Sequence, residues 1–294
     1  MQAVIQFPNI SPELFSVEVF GWTLALRWYA LAYLAGIVIG WQTAVAMMKR
    51  PHFWPNNTPP MTKQEVDDFI TALILGIILG GRLVYVFVYK PGYYLDHPSE
   101  IIRIDQGGMA FHGGLLGVVV AGLYFSWRHG IAKKSLADAI AIGTPAGIFF
   151  GRLANFINGE LWGRPTDVPW GVAFPGRAAQ DCGQPVGEIC ARHPSQLYEA
   201  GLEGLLIGLV LIVLVRRGGL KRPGLAAGVL MAMYGAARIF VEFFREADAQ
   251  FIAPDNPYGH VLRLTETVGL SMGQILSLPL IAAGLWLILT ARKA

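Results

Sequence analysis

The chain has 294 residues, of which 54% are hydrophobic and 15% charged, with a formal net charge of +3, whereas a soluble domain carries about 25% charged residues. A water-soluble globule of this size needs charge over most of its surface, so the deficit points to a surface that faces lipid. The basic residues form no runs, which excludes the electrostatic footprint of a nucleic-acid-binding protein, and two cysteines exclude a disulfide scaffold.

A helical span needs about 20 mainly apolar residues. In chain order, the apolar segments read as seven transmembrane helices over 21–45, 66–89, 107–127, 135–158, 194–216, 223–244 and 269–291. Residues 1–20 hold no Lys or Arg, the first basic residue being Arg27. The positive region of a cleaved secretory signal is therefore missing, and the first apolar segment is expected to stay as a span. The expected fold is an all-α polytopic membrane protein, a single domain over 1–294 with no long internal repeat.

Orientation follows from the basic residues in the connections. One set of segments holds Lys49, Arg50, Lys63, Arg128, Lys133, Lys134, Arg216, Arg217, Lys221, Arg222, Arg292 and Lys293, twelve in all. The other set holds seven in longer stretches: Lys90, Arg103, Arg164, Arg177, Arg192, Arg245 and Arg263. The carboxyl terminus is thus expected in the cytoplasm and the amino terminus outside. Within the second set, residues 159–193 form a long Gly- and Pro-rich segment with Trp162, Trp170 and Phe174, which reads as an ordered external cap. Glycines four apart, such as Gly36/Gly40, Gly76/Gly80, Gly113/Gly117, Gly143/Gly147/Gly151 and Gly204/Gly208, read as helix-packing surfaces with no ligand role.

Ionisable groups inside a bilayer are costly, so each one in a span is a functional candidate. Odd-numbered spans run inward, which places Tyr29, His112, Ser195, Tyr198, Glu199 and Gln274 near their outer ends. Even-numbered spans run outward, which brings Arg82, Arg152, Asn155, Asn158, Tyr234, Arg238 and Glu242 to the same level. The convergence implies one polar cavity in the outer half of the membrane. Arg238 and Glu242 lie four apart, one turn beyond Tyr234, and either neutralise each other or serve a ligand. The Arg-before-Glu order is the weaker one for an intrahelical pair and leaves room for a third partner. The same alternative holds for Arg152 with Asn155 and Glu160. Two guanidiniums at one depth favour an anionic headgroup, because Arg makes forked, charge-assisted bonds to phosphate or carboxylate. His112, between glycine pairs in Asp105-Gln-Gly-Gly-Met-Ala-Phe-His-Gly-Gly, is either structural or a general base. Neither HExxH nor CxxC spacing occurs, so a structural zinc site has no support.

The segment Gly151-Arg-Leu-Ala-Asn-Phe-Ile-Asn-Gly-Glu-Leu-Trp-Gly163 resembles the signature of the prolipoprotein diacylglyceryl transferases, a family of bacterial inner-membrane enzymes. The resemblance extends to Arg27-Trp-Tyr-Ala-Leu-Ala-Tyr33, Gly107-Gly-Met-Ala-Phe-His-Gly-Gly114, Arg192-His-Pro-Ser-Gln-Leu-Tyr-Glu199, Tyr234-Gly-Ala-Ala-Arg-Ile-Phe-Val-Glu-Phe-Phe-Arg245 and Ser271-Met-Gly-Gln-Ile-Leu-Ser277. It implies seven helices, a periplasmic cap, and transfer of diacylglycerol from phosphatidylglycerol to the lipobox cysteine of a prolipoprotein signal peptide, with neither cofactor nor metal. The implied catalytic residues are Tyr29, His112, Arg152 and Arg238. The implied substrate-binding residues are Arg152, Asn155, Asn158, Glu160, Gly163, Tyr234, Arg238 and Glu242. Cys182 and Cys190 match nothing in the family signature; their place in an oxidising periplasm leads us to expect a disulfide.

In the implied reaction a thiolate displaces glycerol phosphate and forms a thioether, with the two arginines stabilising the leaving charge and His112 raising the thiolate fraction. Both substrates are anchored in the membrane, so lateral openings among the surrounding membrane lipids are expected. Two other classes compete with this reading. A transporter or binding protein for an anionic lipid would also need buried arginines, but the inverted repeats and broken helices of transporters are not visible. A metal-dependent phospholipid synthase would need spaced aspartates within its spans, and the adjacent pair Asp67-Asp68 sits at a cytoplasmic end.

Overall fold

The computed structural model describes residues 4–19, 22–103, 107–185, 188–265 and 268–292. Residue 21 of the expected first span, Asp105 and Gln106 of the histidine stretch, residues 186–187 of the cap and the basic residue Lys293 lie outside the described residues. The helices in chain order are α1 (Trp28–Met48), α2 (Lys63–Val84), α3 (Pro91–Asp96), α4 (Phe111–His129), α5 (Lys133–Ile157), α6 (Arg177–Gln180), α7 (Ser195–Glu199), α8 (Ile207–Arg216), α9 (Leu225–Val241) and α10 (Met272–Thr290). A π-helical turn, Tyr85–Tyr89, extends α2, and a π-helical stretch, Ala200–Leu206, joins α7 to α8.

Among the described residues, five helices are long and apolar enough to cross a membrane: Trp28–Met48, Lys63–Tyr89, Lys133–Ile157, Ser195–Arg216 and Met272–Thr290. Helix α4 and the shorter apolar α9 occupy the places of the expected third and sixth spans. The starts of α2 and α10 are fixed by capping boxes, Thr62 with Glu65 and Ser271 with Gln274, which satisfy amide groups that the helix leaves unpaired.

One boundary differs from expectation. The first helix begins at Trp28, because Trp22–Arg27 form a strand, β3, paired antiparallel with β2 (Glu13–Val19). A short apolar run is ambiguous between strand and helix by periodicity alone, and here the partner strand upstream decides it; an ion pair of 3.3 Å between Glu13 and Arg27 closes the ladder. Two further strand pairs are small. β1 (Ile5–Gln6) runs parallel to β4 (Val172–Ala173) in the cap, and β5 (Leu262–Arg263) lies antiparallel to β6 (Gly269–Leu270).

Most of the spaced glycines act as packing surfaces, whereas a Cβ on Gly151 would meet nothing within 4 Å. α1 lies along α5, and α2 along α4. A Cβ on Gly36 would stand 2.8 Å from the Gly147 Cα, and one on Gly117 would strike the Gly76 carbonyl. Small residues let these backbones meet where hydrophobic burial gives no drive for helices to associate in lipid. The large apolar side chains that remain, among them Leu75, Leu79, Leu116, Leu209 and Leu289, stand on the outside of the structure. The main buried cluster includes Val45, Trp54, Phe69, Phe125, Leu136, Leu211 and Leu220 and sits at the end that carries the basic connections. A second, smaller one, Val172, Phe174 and Ala179 with Phe7, Phe156 and Trp162 against it, fills the cap.

Asp138 is a buried carboxylate that sequence patterning leaves unexplained. Its two oxygens accept the backbone N–H groups of Gly224 (2.7 Å) and Ala227 (2.9 Å), so α5 supplies the N-terminal cap that α9 lacks in its own sequence. Truncation leaves two buried donors unpaired, and each costs about 1–3 kcal/mol. Asp138→Ala is therefore expected to lower the midpoint of thermal unfolding in a fixed detergent by roughly 5 °C or more. Asp138→Asn, which keeps an acceptor oxygen, should lose less. Equal midpoints for the alanine variant and the wild type would contradict the capping role.

Candidate active site

At the end of the structure opposite the basic connections, α5 presents Arg152, α7 and the π-helical stretch present Glu199 and Glu203, and α9 presents Arg238 with Glu242 just beyond it. Glu199 ties the two arginines together: its Oε2 lies 3.2 Å from the Arg152 Nε, and its Oε1 accepts a hydrogen bond from the Arg238 Nη1. Arg238 also pairs with Glu242 at 2.6 Å. Glu242 in turn accepts the Ser271 hydroxyl at 2.6 Å and contacts Arg245 at 3.4 Å, and Arg245 reaches Asp248. Arg238 and Glu242 thus do neutralise each other, and the third partner of Arg238 is Glu199.

The side chains of Glu199 and Glu203 are fully buried, while those of Arg152 and Arg238 keep 22% and 15% of their surface exposed. A ligand therefore meets guanidinium first and carboxylate second. Burying charge is tolerated only with partners, and the chain of ion pairs supplies them, most loosely for Glu203. Neither Glu203 oxygen accepts a hydrogen bond from the described residues, and its contact with the Arg152 Nη2 is 3.7 Å long.

The signature segment folds into a second polar group beside the first. Asn155 and Asn158 donate to the same Glu160 oxygen, at 2.9 and 3.4 Å. Arg152 is consequently paired with Glu199 and Glu203, and Glu160 is held by the asparagines. The Glu160 carbonyl accepts from Gln196 at 2.6 Å, and the Leu161 carbonyl from the Ser195 hydroxyl at 3.0 Å. These bonds hold Leu161 at φ +57°, a left-handed conformation that is unfavourable for a branched side chain. Gly163 has no room for a side chain, since a Cβ would lie 2.6 Å from the His193 Cβ and strike the Phe244 carbonyl. Its N–H donates to the His193 carbonyl at 2.8 Å.

Other expected residues fall at varied distances from this centre. The Tyr29 and Tyr33 hydroxyls lie 3.1 Å apart, and Tyr33 is close enough to Arg152 and Glu160 to interact electrostatically with both. Tyr234 is within the same reach of Arg152, Glu199, Glu203 and Arg238. His112 is exposed in the first turn of α4. Because α4 and α5 are joined by a short turn, they run antiparallel. His112 lies about 27 Å and Arg152 about 30 Å along their helices from that turn at 1.5 Å per residue, both toward the ends remote from it.

Arg82 belongs elsewhere. It donates to the carbonyls of Glu100, Ile101, Gly107 and Gly108 at 2.6–3.0 Å and lies over the Tyr94 ring, so it organises the connection between α2 and α4. Gln274 is used in the cap of α10. Arg192 does for the cap what Arg82 does for that connection, donating to the carbonyls of Gly163, Ala179 and Asp181 and pairing with Glu246 at 3.0 Å. Cys182 and Cys190 are joined in a disulfide beside these bonds.

Sequence reading missed Glu203 and Arg245, and it missed a relay above them. Trp170 donates to the Tyr198 hydroxyl at 2.8 Å, and that hydroxyl lies 3.1 Å from the His193 Nδ1. An indole N–H only donates, so Tyr198 accepts from Trp170, and its hydroxyl shares a second hydrogen bond with the His193 ring. Burial, opposed by Asp167, holds the His193 imidazole below its ordinary range. Glu203 carried a usable signal: it is a carboxylate inside a span, one turn beyond Glu199.

The model of the family described as prolipoprotein diacylglyceryl transferase matches residues 17–290. Proteins named phosphatidylglycerol–prolipoprotein diacylglyceryl transferase are similar over the whole chain. That of Roseobacter denitrificans is 60% identical over 295 residues, covering 100% of both chains. That of Ruegeria pomeroyi is 61% identical over 293 residues, with 99% of each chain covered. That of Rhizobium meliloti is 45% identical over 295 residues, with 99% of this chain and 96% of its own covered.

Proposed function

The chain belongs to the prolipoprotein diacylglyceryl transferase family, and from that premise we propose how the arginine–glutamate network and the residues around it perform the transfer. The protein is a multi-pass membrane enzyme that moves the diacylglyceryl group of phosphatidylglycerol to a prolipoprotein. The observation that carries the site assignment is the pair of partly exposed guanidiniums joined through the fully buried Glu199.

Arg152 and Arg238 bind the phosphate of phosphatidylglycerol. The thiol of the lipobox cysteine gives its proton to His112, its sulfur forms a bond to the glyceryl carbon, and the carbon–oxygen bond to phosphate breaks. The bonding electrons stay on that oxygen, so glycerol phosphate leaves with one more negative charge, and fixed guanidiniums are worth most where such charge develops. Tyr29 and Tyr234 line the same space. Asn155, Asn158 and Glu160, with the tight turn at Gly163, hold the signature segment against it, and Glu242 orients Arg238.

Seven spans, the cytoplasmic placing of the basic connections and the periplasmic placing of residues 159–193 complete the reading, with the site in the periplasmic leaflet of the bacterial inner membrane. The asymmetry of basic residues supports this orientation. In a variant without its native cysteines, a cysteine introduced at Ala178 should react with an impermeant thiol reagent in whole cells, and one at Ala132 should not. The reverse pattern would overturn the orientation. For the reaction itself, purified protein incubated with phosphatidylglycerol vesicles and a lipobox peptide should add the mass of one diacylglyceryl group to the peptide. A peptide with Ser for Cys should gain nothing. No gain on the cysteine peptide would refute the proposed chemistry.

A further inference from the structure

Arg152 holds two carboxylates in different ways. Its Nε lies 3.2 Å from Glu199, a residue anchored from the other side by Arg238. Its Nη2 lies 3.7 Å from Glu203, beyond hydrogen-bond length, and Glu203 is fully buried with no hydrogen bond to either oxygen from the described residues. An unsatisfied buried carboxylate is a costly feature. The charged and titratable groups around it are Glu199 on its own helix, Arg152 on α5, Tyr234 and Arg238 on α9, and Arg245 beyond α9. Three arginines, 152, 238 and 245, are interleaved with the carboxyl groups of Glu199, Glu203, Glu242 and Asp248, so each guanidinium already has a carboxyl partner before an anionic substrate arrives.

We propose that Glu203 is a positioning residue: it holds Arg152 by charge alone while the site is empty, and the phosphate of the substrate takes its place. Of the carboxylates around the two arginines it is the one that can be displaced without breaking a hydrogen bond. Glu199 accepts a hydrogen bond from Arg238 on one oxygen, its other oxygen having only the ion-pair contact with Arg152, and Glu242 accepts the Ser271 hydroxyl. The π-helical stretch that follows Glu199 is the kind of local departure from α-geometry that recurs at functional sites, and it sets Glu203 one turn below Glu199, facing the same guanidinium. Glu203 thus opposes phosphate binding and keeps Arg152 oriented for it. This inference rests on the assignment of Arg152 as a phosphate ligand.

Kinetics with phosphatidylglycerol in mixed micelles and a lipobox peptide test it. Glu203→Gln removes the competing charge and keeps the shape, so the KM for phosphatidylglycerol should fall roughly 5- to 30-fold, as expected for one nearby charge at the effective dielectric of a partly buried site. Because Arg152 is then less firmly held, kcat should fall as well, by roughly tenfold. A merely structural role would reduce the folded fraction without lowering KM. Glu203→Asp, with the charge withdrawn by one methylene, should fall between the two, and if the glutamine variant does not fold, the aspartate variant decides alone. An unchanged or higher KM overturns the proposal. Arg152→Lys in the same assay separates the two readings. If it lowers kcat/KM steeply while Glu203→Gln leaves KM unmoved, only the role of Glu203 is lost. If Arg152→Lys has no effect, the phosphate assignment falls and the role of Glu203 falls with it.

Discussion

Lysine in place of Arg152 or Arg238 is expected to slow single-turnover transfer to a lipobox peptide by about 10²–10³-fold, the cost of losing one fixed donor to a developing charge. Charge is kept in these variants, and what is lost is the planar fork. Arg238 uses separate nitrogens for Glu199 and Glu242, whereas a lysine is a point charge that cannot span both. Arg152 likewise contacts Glu199 through Nε and Glu203 through Nη2. The variants should still insert and fold, because Glu199 and Glu242 keep one arginine and the Ser271 hydroxyl, respectively. Near wild-type rates in folded Arg238→Lys would remove the clamp from the mechanism.

The second large effect is expected at His112. Glutamine there keeps hydrogen bonding but accepts no proton, and loss of a general base costs roughly 10²–10⁴-fold. Its exposed position in the first turn of α4 is where a thiol presented from the membrane surface would arrive. The substrate thiol has an ordinary pKa of about 8.5, so raising the pH from about 7 to 9 should ionise it unaided and partly restore the variant. A variant with wild-type rates would exclude His112 as the base, and a dead variant without pH response would assign it to substrate positioning.

Much of the architecture is legible in the sequence because a bilayer admits few solutions. Apolar length and basic connections locate helices at all seven expected places, and glycines at four-residue spacing mark where Gly36 meets Gly147 and Gly76 meets Gly117. The hairpin of β2 and β3 was not legible, since Thr23-Leu-Ala-Leu26 is as apolar as a helix start and only its partner strand identifies it. The arginines show the same limit. Arg82, Arg152 and Arg238 look alike in the sequence as cations within spans, yet Arg82 spends its donors on backbone carbonyls and Arg152 and Arg238 on carboxylates. Which kind of partner a guanidinium finds depends on residues distant in sequence: Glu199 joins Arg152 to Arg238 across three helices. Glu203 lay in plain view as a charge within a span, but its isolation from hydrogen-bond donors is a property of the packed site.

The proposed mechanism depends on where the phosphate of the substrate sits. The most direct measurement is a structure of the protein in a phosphatidylglycerol-containing nanodisc, at a resolution that locates the phosphate. It should show phosphate oxygens at charge-assisted hydrogen-bond distance, about 2.7–2.9 Å, from the guanidiniums of both Arg152 and Arg238, with the glyceryl carbon turned toward His112. A phosphate bound away from both arginines, with their contacts to Glu199 and Glu242 unaltered, would contradict it.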